Sequence, residues 1–191
     1  VITGFRFSRT GASGRLGITP DLWCFGKVLG GGLPLAGFAG KADLMANLAP
    51  LGPVYQAGTL SGDPIATAAG ATVLELLNDA AYEQLENTAA QLAKTLADAL
   101  GPGYHVPQCG PLVGIFCRDE PVHNYDDAKQ AAASGRYPGL FHGMLDRGVA
   151  LAPGAYEILF PGLAHGSDEI ETRPTSPPRR ARPDAVSRCP R

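Results

Sequence analysis

Two hydrophobic periods run along the chain, a short one typical of strands and a longer one typical of helices, and their succession lays out the elements. Val1-Ile2-Thr3-Gly4-Phe5-Arg6 reads as a strand that stops at Gly4. Residues 8–17, with Ser, Thr and three glycines, read as an irregular loop. Ile18-Thr19-Pro20-Asp21-Leu22 then leads into Trp23-Cys24-Phe25, a short buried strand by its composition, and Leu35 to Ala39 reads as another. Asp43 to Leu48 has room for a helical turn or two. From Gly52 to Pro64 the turn residues dominate and predict a long loop, a kind of segment that carries function disproportionately often.

The helical period takes over at Asp63-Pro64, a capping carboxylate followed by proline at the first helical position, and predicts a helix to about Leu77. Its Ala66, Ala68, Ala69, Gly70 and Ala71 are small enough to pack closely on a sheet or another helix. A second helix is predicted from about Ala81 to Leu100, with Leu85, Leu92, Leu96 and Leu100 on one face and Glu86, Gln91, Lys94 and Asp98 on the other. Gly101-Pro102-Gly103 stops it. Leu112 to Cys117 reads as a strand, Asp119 to Arg136 as a polar connection, and Tyr137 to Arg147 as a helix ended by Gly148. Val149-Ala150-Leu151 reads as a strand, with Ala155-Tyr156-Glu157 and Leu163-Ala164-His165 in the loop after it. Such alternation predicts an α/β or α+β domain pair whose boundary lies in the helices between 64 and 100.

With 191 residues and 45% hydrophobic content the chain can bury a real core. A formal net charge of −2 argues for neither nucleic acid nor an anionic membrane as partner. The average conceals an asymmetry: residues 1–171 carry a net −7, and residues 172–191, with six Arg and five Pro, a net +5. That tail has no apolar period and is expected to be disordered, either a basic surface for anionic partners or a run without a folded role. Cys24, Cys109, Cys117 and Cys189 show no metal-ligand spacing, so no metal is expected and the thiols read as reduced. No apolar run approaches the roughly 18 residues that cross a bilayer, and a cytoplasmic protein is expected. The chain opens at Val1 inside an apolar pattern and without Met, as a piece of a longer protein would.

The chemistry concentrates at Phe25-Gly26-Lys27-Val28-Leu29-Gly30-Gly31-Gly32-Leu33-Pro34, where an isolated lysine leaves an apolar run and meets three glycines. A lysine there is expected to have little access to water, which lowers its pKa and suits it to condensation with a carbonyl group. A strand-end lysine snorkelling beside a tight turn is the competing reading. A phosphate-binding Walker loop is excluded, because Val28 follows the lysine and Leu22 stands where the first glycine belongs.

Together the Val1 to Arg6, Gly17 to Pro34, Gly52 to Pro64 and Leu151 to His165 segments resemble the class III, fold-type I, pyridoxal-phosphate aminotransferases, and within them the glutamate-1-semialdehyde aminomutases. The first two suit the whole class; the Gly52 to Pro64 run and Leu151-Ala152-Pro153-Gly154-Ala155-Tyr156-Glu157 resemble the aminomutase branch. The resemblance implies an α/β fold built from part of the large cofactor domain (1–78) and a small C-terminal α+β domain (79–171), followed by the tail. It implies pyridoxal 5'-phosphate as cofactor, with Lys27 as the lysine that carries it and later moves protons as general acid and base. Thr59 matches a threonine whose hydroxyl and backbone N–H meet the cofactor phosphate of the neighbouring subunit, so a homodimer is implied. Glu157 matches a glutamate near the aminomutase active site, and Tyr55, in the phosphate-side loop, is assigned a weaker substrate-side role. His165 reads as a packed or capping residue, and Arg6 and Asp21 as structural.

The implied reaction moves an amino group within glutamate 1-semialdehyde to give 5-aminolevulinate, the tetrapyrrole precursor, with no second substrate. The cofactor supplies the electron sink and the protein supplies amine, anion cradle and orientation. The family's aspartate for the pyridine nitrogen, its own-subunit phosphate turn, its ring-stacking aromatic residue and its gating region match nothing here, so the isolated chain is expected to lack useful aminomutase activity. Two alternatives stand beside this reading: a class III ω-aminotransferase using an external amino acceptor, and a non-enzymatic truncated product.

Overall fold

The computed structural model describes residues 1–171, so the expectations for the tail at 172–191 lie outside the described residues. Chain contacts divide into two compact units between Asn87 and Thr88, inside one long helix.

In the first unit a short helix α1 (Gly11–Arg15) precedes strand β1 (Leu22–Phe25), which runs into a 3-10 turn at Lys27–Gly30 and pairs antiparallel with β2 (Gly37–Gly40). The register sets Leu22 opposite Gly40 and Phe25 opposite Gly37. Helix α2 (Ala42–Met45) and the long loop follow, and then helix α3 (Pro64–Leu76). Asp63 caps α3 as expected, its carboxylate accepting the Ala66 N–H at 2.8 Å, and Pro64 sits where its missing N–H costs nothing. Helix α4 (Asp79–Leu100) begins here: the Tyr82 hydroxyl donates to the Phe5 carbonyl at 2.8 Å, and Arg9 donates to the Leu77 carbonyl at 3.0 Å.

Three expectations fail in this unit. Val1 to Arg6 is not a strand, because the Thr3 carbonyl accepts both the Arg6 and Phe7 N–H groups and Phe5 takes a left-handed φ of 56°. The supposed loop at 8–17 contains α1. Neither strand is buried: β1 alternates exposed and half-buried residues, and β2 is exposed up to Gly40.

The second unit holds the larger core. Ala89, Ala93 and Leu96 of α4 meet Val113 and Ile115, with Leu92, Leu100, Tyr104, Val106, Leu140, Leu151 and Leu159 packed around them. Gly101, at φ 64°, ends α4 as the sequence requires. Strands β3 (Gln108–Cys109), β4 (Leu112–Gly114) and β5 (Ile158–Leu159) form an antiparallel sheet in the order β3-β4-β5. Helices α5 (Tyr125–Ala133), α6 (Tyr137–Leu145) and α7 (Ser167–Glu171) complete it.

Here too the sequence reading needs correction. The polar connection at 119–136 contains α5, opened by Asn124, whose side chain accepts the Asp127 N–H at 3.0 Å while Asp127 accepts the His123 N–H at 2.9 Å. Val149 to Leu151 is not a strand: Ile158 and Leu159 take the place beside β4, opposite Gly114 and Val113.

Candidate active site

The Lys27 turn is shaped by what surrounds it. β1 delivers the chain to buried Gly26, and Lys27 opens the 3-10 turn with φ at 51°. A left-handed conformation at a residue with a side chain costs on the order of 1–3 kcal/mol and persists only where neighbours impose it. Among the described residues only Phe5 shares it outside glycine. The imposing contacts are internal hydrogen bonds: Leu29 N–H to the Gly26 carbonyl at 3.2 Å, Gly31 N–H to Val28 at 3.0 Å, and Leu33 N–H to Gly30 at 2.9 Å. Gly31 follows at φ 59°, where any side chain would be strained.

Lys27 itself is exposed, which corrects the expectation of a buried amine. The two-stranded sheet beside it offers no buried face, so apolar neighbours in sequence do not become a cover in space. What sets Lys27 apart is that no carboxylate holds it. Lys41 pairs with Asp21 at 2.5 Å, Lys94 with Asp98 at 2.6 Å and Lys129 with Asp126 at 2.7 Å. The Asp98 hydrogen bond pushes the Lys94 pKa up, which favours the ammonium over the nucleophilic amine. Lys27 has no ion-pair partner among the described residues.

Thr59 occupies the second position of a β-turn closed by the Ser61 N–H on the Gly58 carbonyl at 2.9 Å. It is exposed, and its hydroxyl and N–H meet no acceptor among the described residues. Tyr55 projects from the same loop, 82% exposed. The loop approaches β1 and β2 around a cleft of about 690 Å³ lined by Cys24, Phe25, Leu35, Phe38, Gly58 and Leu60, among others. Neither Lys27 nor Thr59 lines it, so the structure does not gather the two into one cavity.

Glu157 lies in the second unit, exposed at the end of a turn where its N–H donates to the Gly154 carbonyl at 3.2 Å. Two tyrosines that the sequence reading passed over hold this turn. The Tyr137 hydroxyl donates to the Ala152 carbonyl at 2.7 Å, and the Tyr125 ring lies 6.0 Å from that of Tyr156. Burial pushes the Tyr137 phenol up, and the charges of Cys117 and Glu157 add to it. His165 behaves as expected of a cap, its Nδ1 accepting the Gly162 N–H at 2.9 Å.

The profile of the class-III aminotransferases matches residues 1–156. The chain belongs to that family. Among class-III relatives, glutamate-1-semialdehyde 2,1-aminomutase from Roseiflexus castenholzii is 47% identical over 175 residues, which cover 90% of this chain and 40% of that protein. Its counterpart from Salinibacter ruber is 45% identical with the same coverage. The chain thus spans about 40% of the length of these relatives. An ω-transaminase from Sphaerobacter thermophilus superposes with a TM-score of 0.73 at 27% identity, covering 90% of this chain and 40% of the other. A variant aminomutase from Pseudomonas aeruginosa PAO1, solved with PMP, gives 0.74 at 25% identity over 89% of this chain and 40% of that one. The α/β architecture is accordingly part of a fold-type I transferase, and class-III members depend on pyridoxal phosphate.

The described residues fit that cofactor in kind. One lysine is free of any carboxylate, and one exposed turn presents an unengaged hydroxyl beside an unengaged N–H, the donors an anionic phosphate needs. No group of three or more His, Cys, Asp or Glu side chains among the described residues is placed to hold a metal ion, and no helix there is long and apolar enough to cross a membrane.

Proposed function

We propose that this chain is the C-terminal part of a glutamate-1-semialdehyde 2,1-aminomutase, acting with pyridoxal and pyridoxamine phosphate in the amino transfer within glutamate 1-semialdehyde that yields 5-aminolevulinate. The observation that carries the chemistry is Lys27: of four lysines it alone lacks a carboxylate partner, and it alone sits in a strained turn. Similarity of 45–47% to aminomutases supports the choice of reaction within the family.

When bound, the cofactor supplies a carbonyl for the amine and an electron sink for the substrate carbon. Lys27 supplies the reactive nitrogen at Nζ, which no carboxylate engages, and is assigned the general acid and base role. Thr59 offers its hydroxyl and N–H to a phosphate oxygen, on the cofactor of the second subunit of a homodimer. Glu157, which matches an aminomutase glutamate, and Tyr55, in the phosphate-side loop, are each assigned a substrate-side role. Residues 1–78 belong to the cofactor domain and 79–171 to the small domain.

The structural likeness to an ω-transaminase favours a second reading, transfer to an external acceptor. A graft separates the two. Residues 1–171 replace the matching segment of the Roseiflexus castenholzii aminomutase, and 5-aminolevulinate release from glutamate 1-semialdehyde is measured without any added acceptor. Turnover under those conditions is the expected result; turnover that appears only with pyruvate or oxoglutarate would establish the aminotransferase instead.

A further inference from the structure

Helix α3 approaches the Lys27 turn more closely than any side chain would permit. A β-carbon at buried Gly70 would lie 2.8 Å from the Leu29 carbonyl oxygen and 2.5 Å from Leu35 Cδ2. One turn further along α3, Val73 Cγ2 lies 2.7 Å from where a β-carbon on Gly31 would stand. The first falls inside the turn and the second on the glycine that ends it. The Leu35 methyl can rotate away, but the Leu29 carbonyl is backbone, and its own N–H is bonded to the Gly26 carbonyl that precedes Lys27. Displacing Leu29 therefore displaces the residue pair whose geometry sets Lys27 at φ 51°.

We propose that Gly70 is a positioning residue for Lys27: by letting α3 rest its backbone on the Leu29 carbonyl, it holds the 3-10 turn in the conformation that presents the Lys27 amine. The inference rests on the reading of Lys27 as the cofactor lysine and adds the element that aims it. Asp63 caps this helix at the end nearer the Thr59 loop, so a single rigid element follows the proposed phosphate turn and seats the amine turn. Gly70 touches neither cofactor nor substrate and acts only through Leu29.

The test is borohydride trapping of pyridoxal phosphate on the full chain, with each lysine adduct quantified by mass mapping. Trp23, the single tryptophan and a residue of β1, reports the folding of the first unit in the same samples. In Gly70→Ala, the Lys27 adduct is expected to fall about tenfold or more, as small displacements of a reacting group do, while Trp23 emission stays as in the parent. Val73→Ala, which withdraws the methyl facing Gly31 without adding bulk, is expected to lower the Lys27 adduct severalfold with the fold intact. Thr72→Ala, exposed on the same helix, is expected to change nothing.

Parental Lys27 labelling in both Gly70→Ala and Val73→Ala would overturn the proposal. If Gly70→Ala loses the Trp23 signal, Val73→Ala decides: a Lys27-specific loss supports the positioning role, and unchanged labelling refutes it. A parent chain that never labels Lys27 would instead sink the reading of Lys27 on which the inference rests.

Discussion

Replacing Asp63 tests how firmly the helix behind the Lys27 turn is fixed. Its carboxylate accepts the Ala66 N–H at 2.8 Å, one of the orphan donors at the start of α3, while its backbone carbonyl separately accepts the Thr67 N–H at 2.9 Å. Asp63→Ala removes only the first of these. Loss of such a cap costs about 1 kcal/mol. Divided by a urea dependence of roughly 1.5 kcal/mol per molar for a small unit, this gives a midpoint about 0.7 M lower. Asp63→Asn keeps an acceptor in place and loses only the charge facing the helix N-terminus, worth roughly 0.3–1 kcal/mol. The assay is urea unfolding followed by Trp23 fluorescence, which reports the first unit. The expected order of midpoints is parent, Asp63→Asn, Asp63→Ala. Asparagine as damaging as alanine, or no shift in either, would refute the assignment of this side chain as the cap.

In the second unit, Val113 is fully buried at the centre of the core. Val113→Ala removes the equivalent of two methylenes and leaves a cavity, a loss of about 2–3 kcal/mol checked by thermal or urea unfolding. His105 carries a pH dependence. Burial, with His123 and Arg118 adding repulsion, holds its pKa below the ordinary histidine value. The unfolded chain therefore binds the extra proton first, and the contribution is fully present above about pH 6.5 and lost as pH falls through the depressed folded value. Urea midpoints should drop between pH 7.5 and pH 5.5, and His105→Gln should flatten that drop.

The parts of the fold that were legible in the sequence are those decided locally. Asp63-Pro64 and Gly101 mark helix ends through their own backbone chemistry, and the leucine period of α4 needs no partner to be read. Small residues in α3 signalled a close approach, but not to which backbone; Gly70 met the Leu29 carbonyl. What stayed hidden depended on tertiary choice. Ile158-Leu159 and Val149 to Leu151 have similar strand propensity, and the open edge of β4 decided between them. The α5 helix was masked by its polar first turn, where the Asn124 side chain accepts the Asp127 N–H and the Asp127 carboxylate accepts the His123 N–H.

The candidate site divides along the same line. The Gly26-Lys27 junction, the glycines after it and the 52–64 loop are written in residue types that only special backbone positions demand. The exposure of Lys27 was not readable, since apolar neighbours in sequence say nothing of what lies above them in space. Nor could the sequence show that Lys41, Lys94 and Lys129 each find a carboxylate, two of them one helical turn away and one across 20 residues.

The most direct test of the account is the absorbance of the purified chain with pyridoxal phosphate, before and after borohydride, followed by mass mapping of the reduced adduct. A cofactor fixed on Lys27, and not on Lys41, Lys94 or Lys129, is the predicted result. Labelling spread over all four lysines, or absent from all, would contradict the assignment of Lys27 as the cofactor lysine of this chain.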